Sequence, residues 1–189
     1  EILKSYIKKR LIFNNKKILV TAGPTFEMID PVRFIGNFSS GKMGFEIAKQ
    51  AAQLGAKVFL ITGPSRETVN DENIIVNRVI SADEMLNECS KIFPDIDICI
   101  MSAAVSDYKP KKSFNKKIKK NNLKLIKLDL VKNIDILKEL SLKRKNQKII
   151  GFSLETDNEL INAKNKLKDK NLDAIVLNSL NDTGSGFNF

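Results

Sequence analysis

Residues Ile18 to Gly44 read ILVTAGPTFEMIDPVRFIGNFSSGKMG. The stretch opens on an apolar run, Ile18-Leu19-Val20-Thr21, which predicts a buried strand closed by Ala22-Gly23-Pro24. It ends on Ser39-Ser40-Gly41-Lys42-Met43-Gly44, which predicts a helix start. A strand, a glycine turn and a helix N-terminus together favour a bound anion, because the first N–H groups of a helix have no internal partner. Two phosphate-binding patterns nearly fit. Gly36 to Met43 follows G-x-x-x-x-G-K-[ST] until its last position, where Met43 lacks the hydroxyl that would meet Mg²⁺. A long insertion with Pro24 and Pro31 also separates this loop from its strand. Gly41 and Gly44 supply only the second half of the dinucleotide pattern G-x-G-x-x-G. On these residues alone, a phosphate site and a tight helix–sheet packing turn are both open readings.

Working outward, helical spacing from Ser40 to Leu54 puts Met43, Ile47, Ala51 and Leu54 on one face, beside Ala48 and Ala52, and Gly55 stops the helix. Lys57–Thr62 and Ile74–Val79 predict strands, and Ala82–Phe93 a helix. Ile96–Val105 predicts a strand apolar enough to be central. Ser106–Lys120 is polar, lysine-dense and broken by Pro110, which predicts a mobile surface loop. Leu123–Leu130 alternates like a strand, and Asp135–Leu140 predicts a short helix capped by Asn133 or Asp135. Lys148–Ser153 predicts a strand, Asn158–Lys170 a helix with Leu160, Ala163 and Leu167 inward, and Leu172–Leu177 a last strand. Asn178–Phe189 reads as an unstructured tail. At the other end, Glu1–Phe13 has the spacing of a short amphipathic helix. Alternating strands and helices define an α/β fold: a Rossmann-like, mostly parallel, doubly wound sheet with helices on both faces. Ligands in such sheets bind beyond the carboxyl ends of the strands, where strand order reverses. In a Rossmann order, the turn at Gly23-Pro24 and the segment Ser102–Asp107 face one crevice.

The chain has 189 residues, enough for one domain with a full core. It contains no histidine, which excludes Ser-His-Asp triads and histidine-ligated zinc. Cys89 and Cys99 lack metal-ligand spacing and are expected to be free core thiols in a reducing, cytoplasmic setting. No apolar run is long enough to span a membrane, so no membrane partner is expected. The net charge of +10 suggests an anionic partner, either nucleic acid or a phosphorylated small molecule. The excess is mostly lysine beside abundant asparagine, and Trp is absent, so nucleic acid is not the expected partner.

Residues 22–44, with Ala103-Ala104-Val105-Ser106-Asp107-Tyr108, Lys117-Ile118-Lys119-Lys120, Lys132-Asn133-Ile134-Asp135-Ile136-Leu137, Gly151-Phe152 with Glu155-Thr156, and Lys170-Asn171-Leu172-Asp173, resemble the motifs of phosphopantothenate–cysteine ligase, in the same order. In bacteria that ligase is the second half of the bifunctional coenzyme A biosynthesis flavoprotein. The resemblance implies a ligase domain over residues 16–189, with 1–15 a linker helix from a preceding FMN-dependent decarboxylase domain. It also implies a chain continuing beyond residue 189. The implied substrates are 4'-phosphopantothenate, L-cysteine and CTP, with Mg²⁺ accompanying the triphosphate, and the implied assembly is a homodimer. The reaction passes through an acyl-cytidylate and needs charge neutralisation and positioning more than an acid–base pair.

The resemblance assigns Asn37 and Lys117 to catalysis. Asn37 would donate to an oxygen of the acyl-cytidylate, and Lys117 would neutralise phosphate charge. Asp107 would accept from the cytosine amine, with Met101, Ser102 and Ala103 completing the base pocket. Ile134, Asp135, Ile136, Leu137 and Phe152 are implied as further CTP contacts, and Lys166 and Lys170 would hold the triphosphate. Ser39, Ser40 and Gly41 would offer N–H and hydroxyl groups to a substrate phosphate. No protein ligand for the metal can be named. Phe26, Phe38 and Ile134 depart from residues usual in the family, which bears on fine substrate contacts. The alternatives are a nicotinamide-dependent oxidoreductase and a basic nucleic-acid-binding module. The first needs an acidic residue closing the second strand, where Thr62-Gly63-Pro64 stands.

Overall fold

The structure, a computed structural model, describes residues 11–119, 126–179 and 181. Its centre is β1, Lys17–Ala22, whose residues Ile18 to Ala22 are all buried. A strand buried on both faces has no polar side to alternate with, which is why it reads as a continuous apolar run. β4 (Lys57–Thr62) and β5 (Ile74–Arg78) pair in parallel on one side of it. β6 (Ile98–Met101), β9 (Lys148–Glu155) and β10 (Ala174–Ser179) continue in parallel on the other. The six strands lie in the order β5-β4-β1-β6-β9-β10, which is the doubly wound Rossmann order.

Each face of the sheet carries its own core. Helix α1 (Lys42–Gln53) lays Phe45, Ala48, Ala51 and Ala52 on Ile18, Val20, Val58 and Leu60. Helices α2 (Ala82–Ile92) and α3 (Ile136–Leu142) pack Met85, Cys89 and Leu140 on Leu19, Cys99 and Ile149 of the opposite face. α4 (Glu159–Asp169) connects β9 to β10 and buries Ala163. The cysteines are free and buried, as the sequence predicts, and burial pushes the Cys89 thiol up to about 12.

Several expectations shift. The inward face of α1 centres on Gly44, Phe45 and Ala48, while Met43 is exposed. Gly44 sets that rotation, because a side chain there would meet the Ala22 Cβ at 2.5 Å. Leu160, expected inward, is exposed, and Ala163 alone of α4 is fully buried. The insertion after β1 holds an antiparallel ribbon, β2 (Phe26–Met28) with β3 (Phe34–Gly36), whose Phe26 and Phe34 rings stack at 3.7 Å. Three-residue strands are too short to show a period in sequence. The lysine-rich loop likewise begins as a strand, β7 (Tyr108–Pro110), paired with β8 (Leu130–Lys132). The strand expected at 123–130 therefore falls later. Bonds from Asn133 N to Asp107 O and from Lys111 N to Asp129 O flank this pairing and fix its register. Residues 123–125 lie outside the described residues, as do 1–10 of the expected N-terminal helix. Residues 12–15 form turns, and the Phe13 N–H donates to Leu54 O, so this end of the expected linker packs on α1. The expected tail starts late, since β10 runs to Ser179; residues 180 and 182–189 lie outside the description. Among the described residues, no helix is long and apolar enough to cross a membrane.

The turns after β1 and β4 touch. Gly23 takes a φ of 70°, and a Cβ at Gly63 would stand 1.6 Å from Pro24 O. Gly63→Ala therefore forces two backbone segments apart. Overpacking costs about 1–3 kcal/mol, a loss of about 2–4 °C per kcal/mol in a chain this size. A thermal melt of the variant is expected to show that drop.

Candidate functional site

β1 and β6 are neighbours whose chains leave in opposite directions, and a crevice of about 170 Å³ opens at their carboxyl ends. Thr21, Met101 and Phe152 form its floor from three adjacent strands. Ala103, Val105, Ser106 and Asp107 form one wall as the chain leaves β6, and residues 132–137 form another. Lys166 and Lys170 reach in from α4.

The wall residues are held by buried polar groups. Ser106 N donates to Thr25 Oγ1, and Ala103 N to Thr21 Oγ1. The Asn133 side chain is buried, donates to Ser106 O at 2.9 Å and accepts from Ile134 N at 2.9 Å. It ties the segment after β6 to the start of α3. These bonds satisfy groups that would otherwise be costly to bury.

The charges are arranged in pairs. Asp135 caps α3, accepting from Lys138 N at 3.0 Å, and meets Lys170 Nζ at 2.9 Å. Burial works to raise the Asp135 pKa, but the Lys170 and Lys138 hydrogen bonds outweigh it and hold the carboxyl below the ordinary value. Lys166 Nζ donates to Phe152 O at 2.7 Å. Burial lowers its pKa, and the charge of Lys170 lowers it further. With Lys132, three lysines and two carboxylates, Asp107 and Asp135, line the crevice. Among the described residues, no group of three or more carboxylates or cysteines could hold a metal ion by itself.

Of the residues assigned from sequence, Met101, Ala103, Asp107, Ile134, Asp135, Ile136, Leu137, Phe152, Lys166 and Lys170 meet here. Ser102 lines up in sequence but turns away, its hydroxyl donating to Thr21 O at 2.6 Å. Asn37 stands at the rim, its amide donating to Val105 O at 2.9 Å. Ser40 and Gly41 sit at the start of α1: Ser40 Oγ accepts from Lys42 N, and Gly41 has a φ of 85°. Ser39 precedes them on the same approach to the helix. Lys117 is exposed on the loop 111–119, outside the crevice lining, and Lys120 falls outside the described residues. Lys132 opens one of the quoted motifs, but sequence reasoning gave it no role in the site. Thr21 was missed, and Asn133 was read only as a possible cap of α3, because their roles depend on contacts far along the chain; the cap is Asp135.

A Rossmann-ordered sheet with a charged crevice at its reversal point defines a nucleotide-type α/β domain. More particularly, the chain belongs to the DNA/pantothenate metabolism flavoprotein C-terminal domain family, which matches residues 13–189. It is 47% identical over 187 residues to the coenzyme A biosynthesis bifunctional protein CoaBC of Borreliella burgdorferi, covering 98% of this chain and 46% of that protein. It is 45% identical over 191 residues to a protein named cysteine/cysteine sulfinic acid decarboxylase from an unknown prokaryotic organism, covering 99% of this chain and 53% of that one. The chain thus spans about half the length of the curated relatives it matches. The crystal structure of the C-terminal domain of a CoaBC protein superposes with a TM-score of 0.76 at 41% identity, over 87% of this chain and 77% of that one.

The half-buried Lys166 predicts a proton signature. An anion seated against it favours the charged amine and raises its lowered pKa. Between the free and bound values, the amine then takes up protons on binding. Calorimetry of a nucleoside triphosphate at alkaline pH, in two buffers of different ionisation enthalpy, is expected to show this uptake. Lys166→Met is expected to abolish it and to weaken binding.

Proposed function

We propose that this chain joins 4'-phosphopantothenate to L-cysteine with CTP, giving 4'-phosphopantothenoylcysteine, CMP and pyrophosphate in coenzyme A biosynthesis. One observation carries the reading: apart from Ser102 and Lys117, the residues assigned to the nucleotide by family resemblance, from Met101 to Lys170 in sequence, gather round a single crevice at the reversal point of the sheet. The names of the CoaBC relatives support the same pathway.

In this reading the pantothenate carboxylate attacks the α-phosphorus of CTP. Pyrophosphate leaves, and an acyl-cytidylate remains. The cysteine amine then attacks the acyl carbon, loses a proton, and CMP leaves. Asp107 accepts from the exocyclic amine of cytosine, a donor that uracil lacks, and so favours CTP over UTP. Lys166 and Lys170 meet the triphosphate, Lys170 exchanging its bond to Asp135 for one to phosphate. Lys117 adds positive charge where phosphate charge builds up in the transition state. Asn37 donates its amide to an oxygen of the acyl-cytidylate from the crevice rim. Ser39, Ser40 and Gly41 receive the phosphate of phosphopantothenate at the start of α1, where the first turn presents backbone N–H groups. Mg²⁺ would accompany the triphosphate, which would supply much of its coordination, and would neutralise phosphate charge there. A homodimer, and an attached decarboxylase domain holding FMN, complete the proposal.

Pyrophosphate and amide product are measured with phosphopantothenate, cysteine, Mg²⁺ and each of CTP, ATP and UTP. Turnover is expected with CTP. Asn37→Ala is expected to lower it by about 10²–10³-fold, the usual effect of losing an oxyanion donor, while CTP still binds. Equal turnover with all three nucleotides, or none with CTP in a folded chain that binds it, would overturn the reading.

A further inference from the structure

The loop 111–119 projects from the β7–β8 ribbon and is exposed along its length except at Ile118, which is half-buried. That residue is gripped at both backbone groups. Ile118 N donates to Asp30 Oδ2 at 3.1 Å, and Ile118 O accepts from Arg33 Nη2 at 3.1 Å. Asp30 and Arg33 belong to the turn between β2 and β3. A third bond, Phe114 N to Ile29 O at 2.9 Å, fastens the loop to the same turn.

Asp30 is built for this. Its residue is 1% exposed, and its carboxylate is saturated with donors. Oδ1 accepts from Val32 N and Arg33 N, both at 2.9 Å, while Oδ2 meets the Arg33 guanidinium and Ile118 N. The Arg33 guanidinium holds the carboxyl well below the usual carboxylate range, so it stays ionised throughout the working pH range. Arg33 forks between this carboxylate and the Ile118 carbonyl, a geometry that lysine cannot reproduce. Lys117 immediately precedes the gripped residue, and Asn37 follows Arg33 along the β3 side of the same turn.

We propose that Asp30 is a positioning residue: the Asp30–Arg33 pair latches the loop at Ile118 and so fixes Lys117 relative to Asn37 and the crevice. The proposal rests on the reading of Lys117 as a residue acting on the reacting phosphate. The latch sets where the ammonium stands, and the Asp30 side chain, sealed from solvent, acts through Arg33 and Ile118.

Two readouts test it on the same chain. Lys111, Lys112, Lys116, Lys117 and Lys119 make the loop a substrate for trypsin, so its cleavage rate reports how firmly it is held. Asp30→Asn is expected to speed cleavage there several-fold. It should also lower kcat for CTP-dependent pyrophosphate release by about tenfold to a hundredfold, the scale of a misplaced group, with KM for CTP unchanged. Arg33→Lys keeps the charge but not the fork and is expected to act in the same direction; it carries the test if Asp30→Asn does not fold. Lys117→Gln is expected to lower kcat without changing cleavage at the other lysines. Wild-type cleavage in a folded Asp30→Asn or Arg33→Lys chain overturns the latch. Faster cleavage with wild-type kcat, while Lys117→Gln is impaired, overturns the positioning role alone. Full activity in Lys117→Gln overturns the reading of Lys117, and the positioning role with it, whatever cleavage shows.

Discussion

Burial of β1 on both faces is the constraint from which the rest of the structure follows. Five successive residues of this strand are sealed from water, so each neighbour must supply both hydrogen bonds and apolar cover. Parallel partners on either side meet the first demand, and parallel pairing requires crossover connections, most of which are helices. The helices then divide between the faces, α1 against Ile18 and Val20, α2 and α3 against Leu19. Because β1 is where winding reverses, its carboxyl end is where the sheet leaves the gap that the crevice fills. The crevice is therefore a by-product of how the core is closed.

Polar groups buried at that gap turn it into a shaped site. Thr21 and Thr25, on and just after β1, bond to the backbone leaving β6, and Asn133 bonds that backbone to the α3 side. All three side chains are buried, and each of these contacts joins segments distant in sequence. A buried polar group accepts few alternative partners, so such bonds specify a single arrangement of the walls. The Asp30 carboxylate plays the same part at the edge of the domain, where apolar packing is thin and the ribbon rings of Phe26 and Phe34 are the main contact.

The central sheet was legible because its strands are apolar runs, two of them closed by glycine at Gly23 and Gly63. The cap was narrowed in sequence to Asn133 or Asp135 for a local reason, since either side chain can serve N–H groups a few residues on, and it falls on Asp135. Asp107, Lys166 and Phe152 were named by motif, and only the fold explains why residues so far apart share a crevice. The small ribbons were illegible. Their strands are three residues long, and their register depends on bonds such as Asn133 N to Asp107 O. Asp30 carries no sign in sequence beyond the turn-forming pair Asp30-Pro31; its value lies in contact with Ile118, eighty-eight positions away. The inward face of α1 was misjudged at Met43 because side-chain size suggested an anchor where proximity to Ala22 demanded a glycine one position later.

The pairing of Lys170 with Asp135 has a consequence for the order in which ligands leave. The free crevice already neutralises one of its own cations, so an incoming anion must replace that partner as well as its own hydration. A triphosphate carries enough charge to compensate both Lys166 and Lys170. A nucleoside monophosphate carries less charge on fewer oxygens and competes less well for Lys170 with Asp135, which stays fixed at the helix cap. In the proposed reaction the same ion pair therefore resists occupation by CMP and returns the emptied pocket to its starting state. Turnover is thereby biased forward by a contact that the bound substrate must break and the spent product cannot keep broken.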